Sequence, residues 1–185
     1  FEKYNIEDGH FRVEKQLNRA QLKALTGAGV TLYDLHYREA AIPNGSTLRI
    51  YPDRTPVNTV CLMQGAMPAA RGEFGIDRMY AENNGIAVGD TLTDENGESW
   101  TVTGYVALPD YSCLFKDNTD TMFDAIKFGV AIVTPEEFDA LAVQQIWNYA
   151  WQYDTAPADD RAEKDAATDF MKLVNKTASL QAFVP

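Results

Sequence analysis

Few residues in this sequence have the type and spacing needed for acid–base chemistry. The chain has two histidines. His10 follows the acidic pair Glu7-Asp8, and His36 lies two residues after Asp34. A carboxylate beside an imidazole is the minimum for a general base. A histidine on a surface or strand face beside a chance acid explains the same residues, so a hydrolase is one hypothesis among three.

No serine or cysteine completes a nucleophilic site. Ser112 and Cys113 lack the G-x-S-x-G context of a nucleophile elbow. The segment Gly27-Ala28-Gly29 ends a predicted helix, whereas phosphate groups bind where a helix begins. We therefore predict no catalytic residues and no bound cofactor.

Metal-ligand patterns are also weak. The sequence has no C-x-x-C pair and no H-E-x-x-H motif, which argues against zinc. Hard oxygen ligands that suit calcium gather at Asp117, Asn118, Asp120 and Asp124, although their spacing matches no EF-hand. An acidic loop in which Asp120 caps a following helix explains the same residues. We favour that explanation and predict no metal.

The two cysteines, Cys61 and Cys113, lie in apolar surroundings. Buried thiols are the commoner outcome for such residues. One disulfide between them is the other possibility, and the sequence leaves both open.

The charge balance excludes one class of partner. The chain has 16 basic and 27 acidic residues, a net charge of −11, with no local basic cluster. This excess of negative charge repels phosphate backbones, so we expect no nucleic-acid binding. No apolar run approaches the ~18–20 residues that cross a bilayer. Because the chain opens at Phe1 without methionine, we expect a processed chain or a fragment.

The hydrophobic pattern predicts an α+β fold, because hairpins and helices occur without regular βαβ alternation. Residues 10–40 read as strand, helix and strand. Asn96-Gly97 between two alternating segments is a strong hairpin signal, and Gly104 predicts a bulge or a close backbone approach. Thr134-Pro135 starts a predicted helix of about five turns that ends near Tyr153. A last helix is predicted over residues 158–176.

Aromatic residues give the predicted helix from Pro135 two apolar faces. At 100° per residue, Trp147 and Trp151 fall opposite the stripe that contains Phe138 and Tyr149. Such a helix is sandwiched between layers or presents tryptophans to a partner. Residues 134–165 carry eight acids and two bases. A stand-alone secreted binding or adaptor module that uses Trp147 and Trp151 is therefore the alternative hypothesis.

An ordered string of residues between Leu62 and Tyr111 resembles the extracytoplasmic domain of FtsX/MacB-type ABC-transporter permeases. The string has Gly65 and Pro68 in "GAMP", Glu73, Ile76-Asp77, Ala81, Ile86, Val88-Gly89-Asp90-x-Leu92 and the return arm "WTVTGYV". After "ALPDYS", the run "FGVAIVTPEEFDAL" also fits the family. The order and spacing together carry the resemblance.

The resemblance implies a domain at the extracytoplasmic face of a bacterial cell membrane, with a βαβ-type porter-like lobe and a smaller inserted β-rich lobe. The lobes would be residues 1–63, 64–106 and 107–185, where the first and last segments form the porter-like lobe. The domain would transmit motion driven by a separate cytoplasmic ATPase. It would also contact an extracytoplasmic protein, peptide or lipid, within a permease dimer, and would have no catalytic residues. We take Tyr111, Trp147 and Trp151 as candidate partner contacts.

Overall fold

The computed structural model describes residues 5–54, 57–111 and 127–185 of the chain. These residues form an α+β fold, as the sequence predicts. The chain divides into two compact units. Among the described residues, the first, called the strand-rich unit, consists of residues 5–6, 37–54, 57–111 and 127–145, and the second consists of residues 7–36 and 146–185.

The second unit contains four strands and two helices among the described residues. Their bounds are β1 (Gly9–Val13), α1 (Arg19–Thr26), β2 (Val30–Asp34), β10 (Gln145–Tyr153), α4 (Asp160–Thr177) and β11 (Leu180–Val184). β1 pairs antiparallel with both β10 and β11, and β10 also pairs antiparallel with β2. The sheet order is therefore β11-β1-β10-β2.

Two βαβ segments interleave in this sheet. β1 and β2 both run antiparallel to β10, so they are parallel to each other with β10 between them. β10 and β11 are likewise parallel, with β1 between them. This is the βαββαβ arrangement of ferredoxin-like folds. We call it the βαββαβ unit. Along the chain, all of the strand-rich unit except the residues before β1 is inserted between the second and third strands of the βαββαβ unit.

Aromatic side chains form the core of the βαββαβ unit. Trp151 is fully buried, with its ring centroid 4.8 Å from that of Phe183 and 5.0 Å from that of Phe170. Phe170 and Val174 project from α4 into this core, and their spacing of four residues places them on one face of the helix. Asp159 caps α4, since its carboxylate accepts a hydrogen bond from the Ala162 amide at 2.8 Å. The predicted last helix is confirmed to within two residues at its start and one at its end.

The strand-rich unit contains the remaining described elements. Their bounds are β3 (Tyr37–Ala41), β4 (Thr47–Pro52), β5 (Cys61–Gly65), β6 (Glu73–Asp77), α2 (Arg78–Asn83), β7 (Thr91–Thr93), β8 (Ser99–Ala107), β9 (Phe128–Val133) and α3 (Pro135–Ala140). The sheet order is β3-β4-β9-β6-β8-β5, and β7 pairs with β8. The β4–β9 and β6–β8 pairs are parallel, and the others are antiparallel.

The hairpin and the close approach predicted from glycines are confirmed. Gly97 has φ of 84°, which the tight turn between β7 and β8 requires. At Gly104, a Cβ atom would lie 2.5 Å from the carbonyl oxygen of Ala66 and 2.8 Å from that of Gln64. Only glycine therefore fits where β8 passes the end of its antiparallel partner β5.

The long helix predicted from Pro135 to Tyr153 is wrong. α3 ends at Ala140, and residues 145–153 form β10. Leu141 already has extended backbone angles (φ −66°, ψ 138°). Aromatic and β-branched residues such as Ile146, Trp147 and Tyr149 favour strands, and pairing with β1 and β2 selects that state here.

The predicted division at residues 64 and 106 stays a prediction. Residues 64–106 all lie inside the strand-rich unit. None of the helices in the described ranges is long and apolar enough to cross a membrane.

Candidate functional site

The residues of the ordered string mostly shape the local backbone of the strand-rich unit. The Glu73 carboxylate accepts hydrogen bonds from the Ala69 and Ala70 amides at 2.8 and 3.0 Å, which closes the loop before β6. Asp77 caps α2 through the Tyr80 amide at 3.2 Å. These carboxylates act as turn and cap acceptors.

The residues Val88, Gly89 and Asp90 also shape the local backbone. Gly89 has φ of 99°, in the left-handed region that favours glycine. The Asp90 carboxylate accepts a hydrogen bond from the Ala87 amide at 2.8 Å. The Val102 amide donates to the Asp90 carbonyl at 2.8 Å, and this holds the turn against β8. The motif therefore fixes how the chain enters the hairpin.

Trp100 anchors the hairpin in the core of the strand-rich unit. Its ring stacks on Phe74 at a centroid distance of 4.4 Å and an interplanar angle of 9°. Its indole nitrogen donates to the Glu137 carboxylate at 3.2 Å. Glu137 also accepts from the Gly72 amide at 2.9 Å and from Arg71 at 3.2 Å. The Glu137 side chain thus ties α3 to β8 and to the loop before β6.

Apolar side chains are exposed along the same segment. Among the described residues, six large hydrophobic side chains are exposed, and four of them come from residues 62–88: Leu62, Met63, Met79 and Val88. Leu62 and Met63 lie on β5, an edge strand whose partner is β8. Exposed apolar groups on an edge strand mark a surface where another chain can dock.

Tyr111 lies in a buried polar cluster. Its hydroxyl is 2.6 Å from the Tyr51 hydroxyl and accepts a hydrogen bond from Arg49 at 2.9 Å. Arg54 is 4 % exposed and pairs with Asp110. Burial raises the pKa of Tyr51 and of Tyr111, so both phenols stay protonated. The cluster joins the segment that follows β8 to β4. Tyr111, predicted as a partner contact, is one of the residues that make this junction.

The two tryptophans predicted as partner contacts lie on β10, where residues four apart share one face of a strand. Trp151 is fully buried in the aromatic core. Trp147 is half-buried, and its ring meets that of His36 edge-on at 4.9 Å. The prediction of an aromatic helix face that presents both residues to a partner is therefore wrong, because these residues lie on a strand.

Each of the two histidines lies beside the carboxylate that precedes it in the sequence. His10 pairs with Glu7 at 2.8 Å. His36 is buried, and its Nδ1 accepts a hydrogen bond from the Asn148 amide at 3.0 Å. Burial lowers the pKa of His36, although Asp34, 3.6 Å from Nε2, opposes this. The proton of the neutral ring is therefore on Nε2.

Several predicted features lie outside the described residues. These are Ser112, the calcium alternative at residues 117–124 and Cys113, so the pairing of Cys61 stays open. Within the described ranges, no three His, Cys, Asp or Glu side chains come together as a metal site.

Comparison with known proteins gives no family. No family model matches the sequence, and no curated protein matches it. Solved structures do match, among them the 1.5 Å crystal structure of a predicted lipoprotein from Bacillus anthracis. The two chains are 8 % identical, with a TM-score of 0.47 over 96 % of this chain and 98 % of the other.

Proposed function

We propose that this chain is the extracytoplasmic domain of an FtsX/MacB-type ABC-transporter permease, where it relays motion driven by a cytoplasmic ATPase and docks a partner outside the membrane. The observation that carries the proposal is architectural. A βαββαβ unit is interrupted by one long insertion, and the insertion contains the whole ordered string. The resemblance implies a βαβ-type lobe with an inserted strand-rich lobe, although it gives the insertion as residues 64–106, a shorter segment than residues 37–145.

The contacts made by the residues of the ordered string support a mechanical role for this domain. Its carboxylates, glycines and tryptophan fix loops, caps and packing, as the contacts of Glu73, Asp77 and Trp100 illustrate. A stiff unit of this kind transmits a displacement through differential contacts between two states. The exposed apolar side chains of residues 62–88 provide the docking surface for the partner.

Cysteine labelling of intact cells tests the location. In the full-length protein, with Cys61 and Cys113 changed to serine, Met79→Cys places a thiol on an exposed position of α2. A membrane-impermeant maleimide is expected to label this variant in intact cells. Ala81→Cys, fully buried on the same helix, is the matched control and reacts only after denaturation. Labelling of Met79→Cys only after lysis would contradict the proposed location.

A fluorescence experiment tests the relay. An environment-sensitive dye on Met79→Cys, in the purified permease with its ATPase, is expected to change its emission when ATP is added. An ATPase that binds ATP without hydrolysing it is the control and gives no cycling signal. Identical emission with both ATPases would contradict the relay. A reading frame that encodes no apolar spans beside this segment would overturn the whole proposal.

A further inference from the structure

The βαββαβ unit contains an open cleft of about 590 Å³ beside α4. Its floor is apolar, formed by Val30, Phe170 and Leu173, of which the first two are buried. Pockets that hold small molecules have volumes of about 300–1,000 Å³ and are mostly apolar with a few polar groups. The cleft, called the α4 cleft below, therefore has the size and lining of a ligand site.

Small residues make the space. Ala162 and Ala166 are four residues apart on α4, so they share the face that lines the cleft. Gly29 also lines the cleft. It has φ of 84°, and a Cβ atom added to it would have no neighbouring atom within 4 Å. Longer side chains at these positions would fill the cleft, so its volume is a direct consequence of the sequence.

The charged side chains that line the α4 cleft have one sign of charge. The carboxylates of Asp154 and Asp169 line it, and no lysine or arginine does among the described residues. Thr31 donates a hydrogen bond to the Asp154 carboxylate at 2.7 Å, which orients the group without neutralising it. A negatively charged rim around an apolar floor favours a cation with an apolar body.

Tyr153 also lines the α4 cleft and adds an aromatic side chain to it. Burial raises the pKa of the Tyr153 hydroxyl, and the carboxylates of Asp8 and Glu163 add to the rise. The phenol therefore stays neutral, and further negative charge lies close to the cleft. An ammonium group beside a tyrosine ring gains cation–π attraction.

We propose that the α4 cleft binds a small amphipathic organic cation, with its apolar body on Val30, Phe170 and Leu173 and its ammonium group near Asp154 and Asp169. The inference concerns the βαββαβ unit by itself and goes beyond the proposed permease function. The site requires no membrane, ATPase or second protein.

Fluorescence titration of the chain with three dansyl probes tests the site. Dansylcadaverine has a naphthalene body and a protonated amine, N-acetyl-dansylcadaverine is its neutral analogue, and 6-(dansylamino)hexanoate is anionic. We expect the emission of dansylcadaverine to rise and shift to the blue on binding. The neutral probe is expected to bind more weakly and the anionic probe to bind most weakly. Equal affinities for the cationic and anionic probes, or no binding up to 1 mM of the cation, would overturn the proposal.

Variants locate the binding. Asp154→Asn and Asp169→Asn are each expected to weaken dansylcadaverine roughly two- to fivefold, as expected for one partly solvated ion pair, and to leave the neutral probe unchanged. Asp139→Asn, an exposed acid in the strand-rich unit, makes the same charge change and is the matched control. A loss of affinity in the control as large as in the cleft variants would contradict the site.

Ala166→Leu tests the cleft itself. The added side chain is expected to fill the space and abolish binding of the cationic and neutral probes. A thermal melt shows whether the variant folds, and if it does not, the two asparagine variants decide. Unchanged binding by a folded Ala166→Leu variant would overturn the proposal. The assay contains neither membrane nor ATPase, so its failure is distinguishable from failure of the labelling experiment.

Discussion

At the scale of single residues, Glu137 shows how a buried charge holds the strand-rich unit together. Thr134 and Glu137 have the spacing of a capping box, in which the acid side chain turns back to the helix start. The Thr134 hydroxyl does accept from the Glu137 amide at 3.2 Å. The Glu137 carboxylate instead reaches Gly72, Arg71 and Trp100. No local pattern encodes these contacts, because their partners are 37 to 66 residues away.

Glu137→Gln is expected to lower the free energy of unfolding by about 1–3 kcal/mol, because the amide nitrogen would face donors that now meet a carboxylate oxygen. Urea denaturation measures the change. Glu136→Gln, exposed on the same helix, is the control and is expected to change the free energy by less than about 0.5 kcal/mol. Equal effects of the two substitutions would show that the buried contacts contribute nothing.

His36 makes the stability depend on pH. Its pKa is lowered in the folded state by burial, so the unfolded chain binds a proton more readily. The stabilisation is fully present above the unfolded pKa of about 6.5 and is lost as pH falls below it. We expect the free energy of unfolding to fall between pH 7.5 and 5.5, by at most about 1.4 kcal/mol per pH unit from this group.

Urea unfolding at several pH values checks this, and the comparison is between histidine variants. His36→Gln is expected to flatten the dependence over this range. His10→Gln, which changes a half-exposed histidine paired with Glu7, is the control and should retain it. A flat profile for the unchanged protein would contradict the prediction.

At the scale of elements, the sequence predicts a helix or strand correctly where the residues that determine it lie within one short segment. The Asn96-Gly97 hairpin and the last helix are set by a turn dipeptide, a cap and a long apolar stripe within one segment, and both are confirmed. Residues 145–153 fit a helical stripe and also a strand, since Trp147, Tyr149, Trp151 and Tyr153 alternate. Short apolar runs are ambiguous between the two periods. The pairing partners that decide the state, β1 and β2, lie more than 110 residues away.

The close approach of β8 to the end of β5 at Gly104 gives a prediction at this scale. Gly104→Ala would place a Cβ atom 2.5 Å from a backbone oxygen of the neighbouring chain segment, which cannot rotate away. We expect a loss of about 3 kcal/mol, the upper end of overpacking effects. Gly97→Ala is the matched control, because it makes the same change in open space and costs about 1 kcal/mol for its left-handed backbone. Chemical denaturation of both variants measures the difference, and equal losses would contradict the close approach.

At the scale of the whole molecule, the proposed function rests mainly on the order in which the chain visits the two units. The sequence predicts the fold class and places the ordered string in one segment. The sequence does not reveal the interleaved βαβ segments, because β10 is mistaken for a helix. The α4 cleft is likewise hidden, since Gly29, Asp154 and Asp169 meet only when distant segments fold together. Contacts between distant segments are therefore what the sequence leaves undetermined.

The net charge of −11 predicts how the whole chain responds to salt. Like charges repel within a compact molecule, and dissolved ions screen this repulsion over about 10 Å at 0.1 M. Raising sodium chloride from 20 to 200 mM is therefore expected to raise the melting temperature by about 2–4 °C, which corresponds to roughly 1 kcal/mol for a chain of this size.

Salt also weakens the ion pairs between Arg49 and Glu39 and between Arg78 and Glu82, which acts in the opposite direction. Since these exposed or half-exposed pairs contribute little, the repulsion is expected to dominate. Calorimetry at several salt concentrations measures the balance, and a melting temperature that falls with salt would mean that attractive pairs outweigh the net charge.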